Sequence, residues 1–244
     1  MALTDDRALD DLLAEVAAAP PVRGFAAALS TTDELAVVAE IKRRSPSKGD
    51  LNVGLDPAGL ATTYAEAGAS CLSVLTDEDF FGGSVADLRA ARSAATVPVL
   101  RKDFTVDPRD IVDARIMGAD CVLLIAAALS PTELAELHGM ALGLGLDVLV
   151  EIHDEDELAI AVDVGATLIG VNQRDLVTFE VDHQRAERVG QAIPGGVVKV
   201  AESGVRDGAD ARRLADAGFD AIFVGESLVT APDVAVTLRS LRSR

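Results

Sequence analysis

Eight short apolar runs, each followed by a longer amphipathic stretch, recur along this sequence and limit the folds open to it. The runs are 37–42 (VVAEIK), 71–76 (CLSVLT), 97–102 (VPVLRK), 121–126 (CVLLIA), 147–152 (DVLVEI), 168–172 (LIGVN), 197–203 (VVKVAES) and 221–225 (AIFVG). Runs of this length, rich in Val, Ile and Leu, suit strands buried on both faces. The stretches 57–67, 108–117, 131–142, 155–164 and 207–217 are helical in pattern. Pro57, Pro108, Pro131 and Pro232 stand near helix starts, where a missing N–H costs least. The tetrapeptides AGAS at Ala67, MGAD at Met117, VGAT at Val164 and AGFD at Ala217 put a Gly at a helix end, just before the next strand. Strict strand–helix alternation makes a parallel sheet with right-handed crossovers.

Eight such units close into a ring. The expected fold class is α/β, a (β/α)8 TIM barrel, which takes roughly 250 residues, close to the 244 of this chain. No Gly-x-Gly-x-x-Gly follows the first run, which weighs against a dinucleotide fold. No low-complexity linker divides the chain, so residues 1–244 read as one domain. Residues 1–34 precede the repeats and read as a short N-terminal helical extension, expected to pack near the catalytic mouth.

The net charge of −18 excludes nucleic acid and anionic membranes as expected partners. A phosphorylated ligand would need an anion site built locally. Lys occurs only at positions 42, 48, 102 and 199, so each position is informative. Cys71 and Cys121 each open an apolar run and read as small buried hydrophobes. Neither Cys nor His has metal-ligand spacing, so no metal is expected, and His138, His153 and His183 read as surface or helix-start residues. The N-terminal segment is acidic and amphipathic, with neither a signal sequence nor a membrane span. The expectation is a reduced, cytoplasmic protein, a monomer or weak homodimer.

In a barrel of this kind chemistry gathers at the C-terminal ends of the strands. The first run ends in Glu40 and Lys42, which share a face because they are two apart, with Ile41 facing the other way. Lys102 ends the third run, Glu151 the fifth, Asn172 the sixth, and Glu202 with Ser203 the seventh. Charges converging on one mouth need partners and perturb one another's pKa values. Lys199, between Val198 and Val200, lies mid-strand and away from that mouth. Three Gly- and Ser-containing turns follow the first, seventh and eighth runs: SPSKG from Ser45, Ser203–Gly204, and Gly225–Glu226–Ser227. The last two stand where such barrels hold phosphate on backbone amides.

These strand ends carry a resemblance. AEIKRRSPSKG from Ala39 resembles the opening signature of the indole-3-glycerol-phosphate synthases. LSVLTDEDFFGGS, PVLRKDF, VEIHDEDEL, IGVNQRDL, AESGV and VGESL follow in that family's order, from about Phe25 to the C-terminus. The resemblance implies a cofactor-free carboxy-lyase of tryptophan biosynthesis. Its substrate would be 1-(2-carboxyphenylamino)-1-deoxyribulose 5-phosphate. Its products would be indole-3-glycerol phosphate, CO2 and water.

By that resemblance Lys102 is the general acid at the substrate carbonyl, and Glu151 stabilises the developing cation. Lys42 binds the anthranilate carboxylate and moves protons in dehydration, with Glu40 as its partner and candidate base. Asn172 and Glu202 hold substrate hydroxyls and the Lys network. Arg174 assists at the carboxylate, and Phe104 belongs to the substrate-binding set. Ser45, Ser203, Gly204, Gly225, Glu226 and Ser227 line the phosphate end. The chain departs from the family pattern at Gly82, where Gln is common, at Gln173 and at Val177. Its segment before the first strand is shorter than in many members. The competing readings are another phosphosugar barrel, such as phosphoribosylanthranilate isomerase, and a paralogue that binds a phosphate ligand without turnover.

The charge imbalance generates a prediction of its own. Salt shortens the Debye length from about 10 Å at 0.1 M to about 3 Å at 1 M and so weakens self-repulsion. The melting temperature should be higher in molar KCl than in dilute buffer. A flat or falling salt curve would show that the acidic surface does not limit stability.

Overall fold

The computed structural model describes residues 8–31, 34–175 and 177–242. Eight parallel strands close into a barrel in chain order. They are β1 (Ala36–Ile41), β2 (Cys71–Leu75), β3 (Val99–Lys102), β4 (Cys121–Ile125), β5 (Asp147–Ile152), β6 (Leu168–Asn172), β7 (Val198–Glu202) and β8 (Ala221–Val224). Closure is made by β1, which pairs with β8 through Ala36–Ala221 and with β2 through Val38–Cys71.

Successive side chains point in and out. Leu72, Val74, Val122, Val150, Val171 and Ile222 pack outward against the helices. Val38, Leu100, Leu123, Leu149, Val200 and Phe223 fill the interior. Lys199 points outward, its Nζ donating to the Gly190 carbonyl at 3.0 Å, which keeps it out of the mouth.

The outer ring is formed by α3 (Pro57–Ala67), α4 (Val85–Ala94), α5 (Pro108–Met117), α6 (Pro131–Gly143), α7 (Glu155–Asp163), α8 (His183–Ala192), α9 (Gly208–Asp216) and α11 (Val234–Leu241). The short α10 (Glu226–Val229) follows β8. The expected helix starts hold: Asp107 with Asp110 and Ser130 with Glu133 form capping boxes at α5 and α6. Gly68 and Gly118 end α3 and α5 in the left-handed conformation that Gly adopts without a steric penalty. Among the described residues no helix is long and apolar enough to cross a membrane.

The N-terminal extension corrects one expectation. Residues 1–7 and 32–33 lie outside the described residues, but 8–31 hold α1 (Leu9–Val16) and α2 (Phe25–Ser30), and neither covers the mouth. Helix α1 packs on α5, and α2 closes the opposite, N-terminal end of the barrel. The reason is volume. The first inward positions of four strands are Ala36, Cys71, Cys121 and Ala221, all small, and Phe25 and Leu29 fill the space they leave.

Polar groups fix the plug in place. Asp147 at the start of β5 accepts the backbone N–H groups of Phe25 and Ala26 at 2.6 and 3.0 Å, capping α2 from another element. Asp120 accepts the Arg23 N–H at 2.7 Å, and Arg92 donates to the Pro21 carbonyl at 2.8 Å.

Phe25→Ala should therefore cost about 3–5 kcal/mol, the usual range for emptying a buried Phe site. Ligand binding at the opposite end should be unchanged. Denaturant unfolding tests this, and a loss under about 1 kcal/mol would show that Phe25 does not fill the barrel floor.

Candidate active site

The inward alternation carries Glu40, Lys42, Lys102, Glu151, Asn172 and Glu202 to one end of the barrel, around a cavity of about 1060 Å³. The last inward positions of β2, β4 and β8 are Leu75, Ile125 and Phe223, so an apolar wall faces the charges. Two Lys–Glu pairs form. Lys102 Nζ lies 3.3 Å from Glu151 Oε2 and 5.7 Å from the centre of the Phe223 ring. Lys42 Nζ pairs with Glu40 Oε2. Asn172 donates to Glu151 Oε1 at 2.9 Å. The Tyr64 hydroxyl, buried under β1, donates to the Glu40 carbonyl at 3.1 Å and steadies that strand end.

Three carboxyls and two ammonium groups share this volume, so one carboxyl is better neutral. Glu202 is that group. Burial and then the Glu151 charge push its pKa well above the usual carboxylate range, against the pull of Lys102. Glu151 goes the other way. Burial would raise its pKa, but Lys102, the Asn172 hydrogen bond and His153 outweigh burial and keep it a carboxylate. Burial would likewise discharge Lys102, but the Glu151 charge above all, with that of Glu40, holds it as an ammonium. The cluster thus presents a charged acid, a charged base and a protonated carboxyl side by side.

Two glycines make room for it. A Cβ on Gly170 would stand 1.9 Å from Glu202 Oε1, and one on Gly225 would stand 2.1 Å from Glu40 Oε2. Gly225 was assigned to phosphate, and the structure gives it this second task. Gly170, inside the β6 run, was not singled out.

The phosphate-type turns sit along the same cavity beside β7 and β8. Ser203 and Gly204 are both left-handed, with φ of 66° and 75°. For Ser203 this is a strained conformation, of the kind that collects at functional sites. In α10 the Leu228 and Val229 amides bond back to the Gly225 carbonyl, both at 3.0 Å. The Glu226 and Ser227 amides are first-turn donors, which a helix leaves open to an anion. The Ser227 hydroxyl is engaged, donating to the Val205 carbonyl at 2.9 Å, so its share in anion binding falls to its backbone. The Glu226 carboxylate is offset by Lys48, 3.6 Å away. Lys48 was not among the expected site residues, although it lies in the SPSKG segment. That segment is a hairpin, Arg44–Ser45 paired with Gly49–Asp50, which brings Ser45 and Lys48 to the cavity.

Arg174 and Phe104 line the rim instead of the charged centre. Arg174 donates from its guanidinium to the Phe179 carbonyl at 2.9 Å and from its backbone to Asn172 Oδ1 at 3.0 Å. Phe80, Phe81, Phe104, Phe179 and Phe223 all line the cavity, so five of the chain's seven Phe residues are gathered there. Arg101, facing out of β3, holds Thr76 at 3.3 Å and Asp103 at 3.0 Å, bracing the turn between Lys102 and Phe104.

One histidine corrects the sequence reading. His138 is buried in α6, where burial lowers its pKa and keeps it neutral. His153 is a helix-start residue as expected, half-buried just before Asp154, the N-cap of α7. Its Nε2 lies 3.7 Å from Glu151 Oε1 and its Nδ1 3.1 Å from Glu157 Oε2. His183 does open α8 as expected.

Known proteins share the barrel fold of this chain. The chain resembles a solved 3-hexulose-6-phosphate synthase at 20% identity and TM-score 0.68, over 85% of this chain and 98% of that one. It resembles N-acetylmannosamine-6-phosphate 2-epimerase from Clostridium perfringens at 13% identity and TM-score 0.64, over 84% and 91%. For thiamine phosphate pyrophosphorylase from Pyrococcus furiosus the figures are 16% and 0.63, over 85% and 93%. At such identities these likenesses speak for the fold alone. The family model for indole-3-glycerol phosphate synthase, by contrast, matches residues 2–241. With nearly its whole length matched, the chain belongs to the indole-3-glycerol phosphate synthase family.

Proposed function

We propose that the cavity closes the indole ring of 1-(2-carboxyphenylamino)-1-deoxyribulose 5-phosphate, with Lys102 as the acid and Glu151 as its electrostatic partner. The observation that carries this reading is the pairing of a half-buried, charged Lys102 with a buried, anionic Glu151 beside an apolar wall. The substrate's phosphate would lie against the turns after β7 and β8, on the amides of Gly204, Glu226 and Ser227. Its aromatic ring would lie against the Phe-rich, apolar side of the mouth, near Leu75, Phe81 and Phe104. Its carboxylate would meet Lys42, with Arg174 in support at the rim. Ser45 would close the phosphate end from the hairpin.

In ring closure the ring carbon that bears the carboxylate attacks the ketone carbon. The carbonyl electron pair moves to oxygen, which takes a proton from Lys102 Nζ. The positive charge left on the ring and its nitrogen is stabilised by Glu151, which Asn172 and Lys102 hold in place. The bond to CO2 then breaks and its electrons restore the ring, so the chain need supply no electron sink. Dehydration requires a proton for the departing hydroxyl and a base for a methylene proton, roles given to Lys42 and Glu40. Protonated Glu202 can donate to a substrate hydroxyl. The sequence consumes one solvent proton and releases CO2 and water.

Turnover of the anilino-deoxyribulose phosphate, followed by indole fluorescence, tests the reaction. Tight binding with no indole signal would leave a binding protein without turnover. Lys102→Met should lower kcat by about 10⁴-fold or more, because a general acid contributes roughly 10²–10⁴ and this one also stabilises charge. Its KM should change little, since the proton is needed at the transition state. Lys42→Met should damage KM and kcat together. Wild-type turnover in Lys102→Met would place the acid on another strand.

Phosphate should supply a major part of affinity despite the acidic surface. Calorimetry comparing the substrate with its dephosphorylated analogue measures that part. Equal affinities would mean that the turns after β7 and β8 bind no anion.

A further inference from the structure

We propose that His153 is a positioning residue that acts as an imidazolium bridge between Glu151 and Glu157, fixing Glu151 as a carboxylate aimed at the mouth. This rests on the role given to Glu151 above and adds to the family pattern a residue that does not touch the cavity. His153 follows the last residue of β5 and is not among the residues that line the cavity. Its backbone N–H donates to Glu157 Oε2 at 2.8 Å, and its Nδ1 lies 3.1 Å from the same oxygen. With Nδ1 committed to α7, the ring's other nitrogen points at Glu151 Oε1, 3.7 Å away. That Nε2 is buried and has no hydrogen-bond partner.

Only the charged ring suits both ends. As an imidazolium it donates at both nitrogens, one toward each carboxylate. As a neutral ring with its proton on Nδ1 it would turn a lone pair toward the Glu151 carboxylate. The charged groups facing it are Glu151 from β5, Glu157 from α7 and Arg185 from α8. Burial and Arg185 favour the neutral ring, but the Glu157 hydrogen bond and the two carboxylate charges outweigh them and raise its pKa above the ordinary 6.5. Asn172 donates to the same Glu151 Oε1 at 2.9 Å, and Lys102 pairs with the other oxygen, Oε2, at 3.3 Å. Glu151 is thus faced by one cation at each of its two oxygens, His153 at Oε1 and Lys102 at Oε2.

The sign of the pH effect follows. Activity should be full while the ring is charged, below its raised pKa, and should fall as pH rises through that value. The kcat–pH profile of the wild-type enzyme should therefore have an alkaline limb that coincides with the His153 titration seen by NMR. The chain has three His residues, and the ring signal missing in His153→Gln identifies the right one. His153→Gln keeps a donor but no charge. Its kcat should drop about tenfold, the factor equivalent to one pK unit of lost charge stabilisation, and the limb should vanish. Glu157→Gln removes one carboxylate, so the limb and the NMR titration should both move down by about one pH unit or more. Should His153→Gln not fold, the wild-type titration and Glu157→Gln still decide. An alkaline limb that stays in place in the foldable variants, or that does not track the His153 titration, overturns the proposal. An inactive wild-type enzyme would instead overturn the assigned reaction.

Discussion

A closed ring of eight parallel strands gives every strand one inward side chain in two, and each inward position must be filled. That requirement organises this molecule from floor to mouth. At the floor, Ala36, Cys71, Cys121 and Ala221 are too small to meet, so Phe25 and Leu29 enter from outside the repeats. In the middle, Val38, Leu100, Leu123 and Leu149 interdigitate as a dry layer. At the mouth the last inward residues of β1, β3, β5, β6 and β7 are polar or charged. They share a space whose apolar walls and dry floor raise the strength of every charge interaction. The same packing that makes the fold stable makes the mouth reactive.

Charge balance then dictates the details of the site. Two Lys and three Glu cannot all be ionised in so little water without leaving a carboxylate unpaired. Lys42 takes Glu40, Lys102 takes Glu151, and Glu202 is left to hold its proton. The backbone yields to that cluster: at Gly170 and Gly225 a side chain would collide with the carboxyls. A charged Lys102 and a charged Glu151 can therefore stand beside a protonated Glu202 at one pH, because their neighbours push their pKa values apart.

Much of this was legible before any coordinates. Alternation told which of Glu40, Ile41 and Lys42 share a face, and the strand ends named the charged cluster, because both depend only on spacing along one strand. The position of the extension was not legible, since it depends on four small residues from four different strands meeting at the floor. Lys48 was hidden because its approach to the cavity requires a hairpin that local spacing does not announce. His153 reads correctly as a helix-start residue, but its approach to Glu151 is not legible, because its ring is fixed by Glu157 in the first turn of α7. His138 could have been read as buried, for it sits among Leu134, Leu137 and Ala141 on one helical stripe.

The acidic surface and the anionic substrate are reconciled by distance. Charges more than about 8–10 Å away are largely screened at ordinary ionic strength, whereas charges inside a cavity are screened much less. Of the four lysines in the chain, Lys42, Lys48 and Lys102 line the cavity, together with Arg174 and Arg206. The fourth, Lys199, is tied to a helix carbonyl outside the barrel. A phosphorylated ligand in the cavity would thus feel the groups beside it far more than the distant surface charge. The net charge of −18 is spread over the whole surface, whereas on the proposed reading a few basic groups and the backbone amides at the ends of β7 and β8 would hold the phosphate. For that reason the total charge of this protein says little about its ligand, and the positions of its few lysines say a great deal.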